Sequence, residues 1–150
     1  MPRKLKLNIE YVPEFSIIGI VSAQKDYRLS WLLNKYLDAD LKKLQDFIFR
    51  SDKSKNPGRY AAYHHELPDL MAQYFLVSNK SNELHLLKEP KNLDYLFLLK
   101  NPGQHIKAAD IVGKIRSVPP VEAAFIIDQP GAASNTMLYD FELHLGKTLI

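Results

Sequence analysis

Histidine and carboxylate side chains concentrate at one point of the sequence, the tripeptide His64-His65-Glu66 in the segment RYAAYHHEL. The segment has the composition of a β-strand, whose alternate side chains point to opposite faces, so His64 and Glu66 share one face and His65 points away. His85 in a nearby segment could add a third ligand of the kind that zinc prefers. One hypothesis is therefore a metal-dependent enzyme. The alternative is a strand whose histidines bind no metal, because the spacing matches no established ligand pattern.

Other catalytic chemistry finds little support in the sequence. The chain contains no cysteine, which excludes disulfides, thiolate metal sites and cysteine nucleophiles. No G-x-S-x-G elbow occurs, and the six glycines are too isolated to form a phosphate-binding loop. Local spacing does not bring the carboxylates of Asp26 and Asp94 into one site. The sequence therefore indicates no catalytic residues and no cofactor.

Hydrophobic periodicity predicts the elements of the N-terminal part. Residues 4–10, KLKLNIE, alternate polar and apolar side chains as a half-buried strand does, and residues 15–21 are apolar on both faces, which is typical of an interior strand. Gly19 within the second strand indicates a bulge or a close backbone approach just before the helix. Ser22 is suited to be a helix N-cap, so we predict a helix that follows it and ends near Leu37 or Asp38.

The remainder of the chain predicts a strand-rich fold. Five short segments rich in aromatic and branched residues are joined by turns containing Pro, Gly and Asn, as in an antiparallel meander. Residues 105–116 carry the apolar stripe of a second helix, and residues 121–128 are predicted as a strand. The tail, NTMLYDFELHLGKTLI, fits both periods; we assign it to a strand, with a helix as the alternative.

These elements together predict an α+β fold in a single domain over residues 1–150. It consists of a mainly antiparallel sheet of about seven or eight strands, curled toward a half-barrel, with two packed helices.

The predicted helix in GIVSAQKDYRLSWLLNKYL has two different faces. At about 100° per residue one stripe packs on the sheet, and it consists of Leu29, Leu32, Leu33, Tyr36 and Leu37. The opposite face includes the chain's only tryptophan, and its residues are Tyr27, Trp31 and Asn34, with Arg28 and Lys35 beside them. A simple surface helix would be polar there, so this face is the candidate binding or interface site.

Three interpretations of that face remain open. A second layer of the same chain could cover it, with the C-terminal segment as the first candidate, because burial of a tryptophan is favourable. It could be the interface of a homodimer, since Trp, Tyr and Arg are enriched at interfaces. It could also bind a small ligand or a nucleotide stacked on Trp31 and held by Arg28 or Lys35. The leading hypothesis is a non-enzymatic protein that acts through protein contacts, with a homodimer as the candidate assembly and any other protein partner unspecified.

Charge and hydropathy narrow the classes of partner. The net charge is only +3, because 20 basic residues nearly balance 17 acidic ones. The most basic segment, RSDKSKNPGR, has no aromatic residues interleaved with it, which disfavours nucleic acid as the partner. The N-terminal MPRKLKLNIEY alternates instead of forming the apolar core of a secretory signal, and no apolar run reaches the roughly 18 to 20 residues of a membrane span. We therefore expect a cytoplasmic protein without a membrane partner.

The helix segment also carries a family resemblance. It resembles the start of the IPExxVD family, small bacterial proteins found chiefly in the Bacteroidetes, in the run Gly19-Ile20, Lys25-Asp26-Tyr27-Arg28-Leu29, Trp31 and Leu33-Asn34. The motif that gives the family its name aligns with KEPKNLD, where Leu93 and Asp94 match its end while the first three residues depart from Ile-Pro-Glu. The resemblance implies an N-terminal strand, this helix and a strand-rich middle, and it implies no catalytic residues.

Overall fold

The computed structural model describes residues 15–50, 56–100, 102–103, 106–127 and 132–148. The strand predicted over residues 4–10 lies outside these ranges, as does the part of the basic segment at residues 51–55. Within the described ranges no helix is both long enough and apolar enough to cross a membrane.

Three helices and ten strands make up the described part of the chain. In chain order they are β1 Phe15–Ser22, α1 Asp26–Leu37, β2 Lys42–Lys43, β3 Phe47–Phe49, β4 Gly58–Tyr60, β5 Ala62–Leu67, β6 Ala72–Ser78, β7 Lys80–Ser81, β8 Leu84–His85, β9 Tyr95–Lys100, α2 Ala108–Arg116, β10 Val121–Ile127 and α3 Ala132–Thr148. The 3-10 turn Pro68–Leu70 joins β5 to β6.

Six of these strands form one open sheet in the order β10-β1-β9-β6-β5-β2. Every neighbouring pair in it is antiparallel. The remaining strands form two small antiparallel hairpins, β3 with β4 and β7 with β8. The α+β prediction with a mainly antiparallel sheet is therefore confirmed, although the main sheet has fewer strands than expected and does not close.

The central strands bury side chains on both faces, which divides the core into two clusters. On one face Ile18, Leu76 and Phe97 pack against α1 and α2. On the other face Phe75 and Leu98 pack against α3 and the β3–β4 hairpin. Because strand side chains alternate, one run of apolar residues supplies both layers.

The C-terminal segment is helix α3, so its assignment to a strand was wrong. Its buried apolar residues are Met137, Leu138, Phe141 and Leu145, which lie at helical spacing. A strand would have placed Tyr139 and Leu143 on the same face as Met137, yet these two side chains are 49% and 53% exposed. The physical reason is the second face of the sheet, whose apolar side chains need a layer that covers them.

The predicted start of α1 was also wrong, whereas its end at Leu37 is confirmed. Ser22 belongs to β1, and its hydroxyl donates to the carbonyl of Pro120 at 3.0 Å. Its backbone N–H donates to a carboxylate oxygen of Asp94 at 2.8 Å. Lys25 is the residue that precedes the helix, and its side chain makes no capping hydrogen bond.

At Gly19 a side chain, and not the backbone that the sequence led us to expect, approaches β1 closely. A Cβ at this position would stand 2.7 Å and 3.1 Å from the two terminal methyl carbons of Leu93. Leu93 is fully buried, so it has little room to move. The irregularity in pairing between β1 and β10 lies further on, between Val21 and Ser22.

We expect Gly19→Ala to lower the free energy of unfolding by about 1 to 3 kcal/mol, because the added methyl group overpacks against Leu93. The measurement is denaturant unfolding, with Gly113→Ala in α2 as the matched control. A Cβ at Gly113 meets nothing within 4 Å, so this change should raise stability by about 0.5 to 1 kcal/mol through helix propensity. In a Leu93→Ala background the cost of Gly19→Ala should shrink; an equal cost in both backgrounds would show that Leu93 is not the obstacle.

Candidate functional site

The inward face of helix α1 is the leucine stripe that the sequence predicted. Leu29, Leu32, Leu33 and Leu37 are buried in the cluster on that side of the sheet. Tyr36, predicted as a fifth member, is 39% exposed and does not belong to the buried stripe. Four leucines therefore hold the helix on the sheet, and the orientation of its other face follows from them.

Polar contacts fix the N-terminal end of α1 against the sheet. The hydroxyl of Tyr63 on β5 donates to the carboxylate of Asp26 at 2.6 Å, and the hydroxyl of Tyr95 on β9 donates to the carbonyl of Gln24 at 2.5 Å. Burial, reinforced by the negative charge of Asp26, raises the pKa of both tyrosines above the ordinary value. Asp94 adds to this effect at Tyr95. The fold thus brings the two carboxylates near one hydroxyl, which local spacing did not predict.

The C-terminal end of α1 is held by Asn34. Its side-chain oxygen accepts from the backbone N–H of Leu41 at 2.7 Å, and its side-chain nitrogen donates to the carbonyl of the same residue at 3.4 Å. Asn34 therefore positions the chain that leaves the helix, and its amide is not free to contact a partner. Asp38, the residue that directly follows α1, adopts the left-handed conformation with φ of 52°.

The aromatic residues on the outward face of α1 are exposed. Tyr27 is 65% exposed and Trp31 is 51% exposed. The interpretation that the C-terminal segment covers this face was wrong, because α3 packs on the opposite side of the sheet. Burial beneath α3 therefore does not explain the tryptophan at this position.

The cations beside Trp31 lie against its ring. The guanidinium carbon of Arg28 is 5.3 Å and the ammonium nitrogen of Lys35 is 4.8 Å from the ring centroid, within the range of cation–π attraction. Among the residues that the structure describes, neither cation has a carboxylate partner. The exposed carboxylate of Asp38 has no cationic partner among them either. We call this exposed set, Tyr27, Arg28, Trp31, Lys35 and Asp38, the α1 outer face.

The structure does not assemble the histidine cluster into a metal site. His64 and His65 point to opposite faces of β5, as predicted: His64 Nε2 lies 2.8 Å from Oε1 of Gln73, while His65 Nδ1 accepts from the backbone N–H of Asp40. His85 belongs to the separate β7–β8 hairpin. Over the described ranges no three His, Asp or Glu side chains are grouped closely enough to hold a metal ion.

One motif that sequence reasoning passed over is the Ser-x-x-Lys spacing of Ser22 and Lys25, which occurs in some serine enzymes. The Ser22 hydroxyl is committed to the carbonyl of Pro120, and the residue is only 2% exposed. A nucleophile must face the substrate and a base. The arrangement at Ser22 is therefore structural.

The anchoring tyrosines predict how stability depends on pH. The pKa of Tyr63 is raised in the folded state. The stability that its neutral hydroxyl contributes is therefore complete below a pH of about 10, the pKa of an unfolded tyrosine, and is lost as pH rises further. Each such tyrosine lowers the free energy of unfolding by about 1.4 kcal/mol per pH unit in that range. Tyr63→Phe should remove one tyrosine's share of the slope, measured by denaturant unfolding between about pH 8 and 11.5.

The control for that experiment is Tyr27→Phe, which removes a hydroxyl that faces solvent in the folded protein. We expect the slope to change more in Tyr63→Phe, which loses a hydroxyl that is hydrogen-bonded to Asp26, than in this control. Equal slopes for wild type and Tyr63→Phe would contradict the assignment of Tyr63 as a buried, neutral anchor.

A second prediction concerns the exposed aromatics. Trp31→Ala and Tyr27→Ala should each change the free energy of unfolding by less than about 1 kcal/mol, because they remove surface contacts. Leu33→Ala, at a fully buried position of the same helix, should cost about 2 to 5 kcal/mol. Acrylamide should quench the fluorescence of the single tryptophan readily in the wild type. A Trp31→Ala cost as large as that of Leu33→Ala would show that Trp31 is part of the core.

Comparison of the chain with protein-family models, with curated proteins and with solved structures finds no match. The resemblance to the IPExxVD family therefore stays a prediction that rests on the residues quoted for it.

Proposed function

We propose that the protein is a non-enzymatic, cytoplasmic protein that acts by binding another protein chain through the α1 outer face. The observation that carries this proposal is the exposure of Trp31 and Tyr27 beside cations that have no ion-pair partner within the described residues. Trp, Tyr and Arg are the residues most enriched among those that dominate binding energy at interfaces. The absence of cysteine fits the reducing cytoplasm.

The position of the helix supports the proposal as well. The N-terminal end of α1 is tied to the sheet through Asp26 and Tyr63, and its C-terminal end is tied to the chain that leads into β2 through Asn34 and Leu41. A side chain on such a helix is held in a defined place before a partner arrives. Less conformational freedom is then lost on binding, which favours association.

The alternative is a small-ligand or nucleic-acid binding module on the same face. A base that stacks on Trp31 would compete for the ring with Arg28 and Lys35, which already lie within 5.3 Å of its centroid. The exposed carboxylate of Asp38 at the end of the same face would repel a nucleic acid. A protein surface can instead offer carboxylates to these cations, a cation to Asp38 and apolar area to the ring together. The remaining hypothesis, a metal-dependent enzyme at His64-His65-Glu66, lacks a group of converging ligands among the described residues.

The test places a photo-reactive benzoylphenylalanine at position 31 or 27 in cells that produce the protein. The matched control carries the same group at Ile48 on β3, which is 51% exposed, as Trp31 is, but lies on the β3–β4 hairpin. We expect cross-linked adducts of defined mass from positions 31 and 27, identified by mass spectrometry, and none from position 48. No adduct from positions 31 and 27, or the same adducts from all three positions, would overturn the proposal.

A further inference from the structure

Asp38, the residue that directly follows α1, has a conformation and a charge that are both unfavourable at the C-terminal end of a helix. Asp38 has φ of 52°, a left-handed conformation that glycine adopts without strain and that other residues adopt at some cost. Its negative charge also lies at the C-terminal end of the helix, where the helix dipole favours positive charge. Within the described residues Asp38 has no cationic partner that would offset this. Local departures of this kind are expected at functional positions.

Four residues of the α1 outer face lie at equal distances, in pairs, before and after the level of residue 33. Arg28 lies five residues before Leu33 and Asp38 lies five residues after it. Trp31 lies two residues before the same level, and Lys35 lies two residues after it. When two identical helices pack antiparallel about a two-fold axis, a residue before the axis faces the residue that lies equally far after it. One axis at the level of residue 33 therefore brings each cation opposite a group that attracts it.

We propose that the partner of the α1 outer face is a second copy of this chain, packed with its α1 antiparallel across a two-fold axis at the level of residue 33. Arg28 then pairs with Asp38 of the second copy, and Lys35 lies against Trp31 of the second copy. Each contact occurs twice by symmetry. The antiparallel arrangement also places the N-terminal end of one helix beside Asp38 of the other, which offsets the unfavourable position of that carboxylate.

The size of the surface sets the strength of this dimer. Helix α1 has 12 residues and is therefore about 18 Å long. One face of such a helix buries less than the roughly 800 Å² per partner that stable complexes bury. The dimer is thus weak and reversible, and it has to be measured at concentrations up to about 1 mM, where complexes of low affinity form.

This inference rests on the proposed function, and a charge exchange tests it separately. Arg28→Glu gives a chain whose positions 28 and 38 are both negative, and Asp38→Lys gives a chain in which both are positive. Neither variant can form the two ion pairs with a copy of itself. An equimolar mixture of the two can form both, and so can the double variant Arg28→Glu/Asp38→Lys. Lys147→Glu on α3, an exposed lysine on the other side of the sheet, is the control.

Sedimentation equilibrium gives the association constant of each sample, with circular dichroism to verify that each variant is folded. We expect self-association of the wild type and the control, at least a tenfold loss for each single charge variant, and recovery in the mixture and in the double variant. High salt should weaken all associations that depend on the ion pairs.

Three results would overturn the inference. These are a wild type that stays monomeric up to about 1 mM, a dimer that neither single variant weakens, and single variants that weaken the dimer without recovery in the mixture. If the wild type is monomeric while position 31 cross-links to a different protein, the proposed function stands and only the second copy as partner is wrong. If position 31 yields no adduct at all, the proposed function itself is wrong.

Discussion

The two-sided apolar character of the central strands is the constraint on which the rest of the structure depends. β1, β6 and β9 bury side chains on both faces, so the sheet cannot leave either face to water. Helices α1 and α2 cover one face, and α3 with the β3–β4 hairpin covers the other. Because α3 is needed on the second face, the outer side of α1 is left without cover from it.

A network of buried polar groups connects the core to the position of α1. Asn79 is fully buried, and its side chain donates to the carbonyls of Leu87 and Leu93 and accepts from the N–H of Leu87. These bonds shape the chain between β8 and β9. Asp94, which follows Leu93, accepts a hydrogen bond from the N–H of Ser22 and forms an ion pair with the ammonium of Lys80. A buried amide has to satisfy its hydrogen bonds, and the bonds of Asn79 fix the segment that leads to Tyr95. The hydroxyl of Tyr95 in turn donates to the carbonyl of Gln24, just before α1.

Periodicity predicted elements whose faces differ clearly, and it failed where a segment fits two periods. The leucines of α1 differ from their neighbours at helical spacing, so both its face and its end were predictable. The tail from Met137 to Leu145 alternates and also repeats at helical spacing, so local sequence could not decide; only the uncovered face of the sheet does. The anchoring pairs join residues as distant as Ser22 and Asp94, and no local spacing carries that information. At Asp38, however, a signal was present, because an acidic residue at a helix end is unfavourable on its own terms.

The exposed area of Trp31 and Tyr27 limits the free energy of association that the α1 outer face can supply. If Trp31 and Tyr27 each lose about 100 Å² of exposed area, then at about 25 cal/mol per Å² each contributes about 2.5 kcal/mol. Two copies of both residues contribute about 10 kcal/mol, which is similar to the 4 to 15 kcal/mol or so that association itself costs. Apolar burial alone would therefore not secure the proposed dimer, and its formation would depend on the charges of Arg28, Lys35 and Asp38. A contact so balanced would assemble and separate with small changes in concentration or salt, in keeping with the weak dimer that we propose.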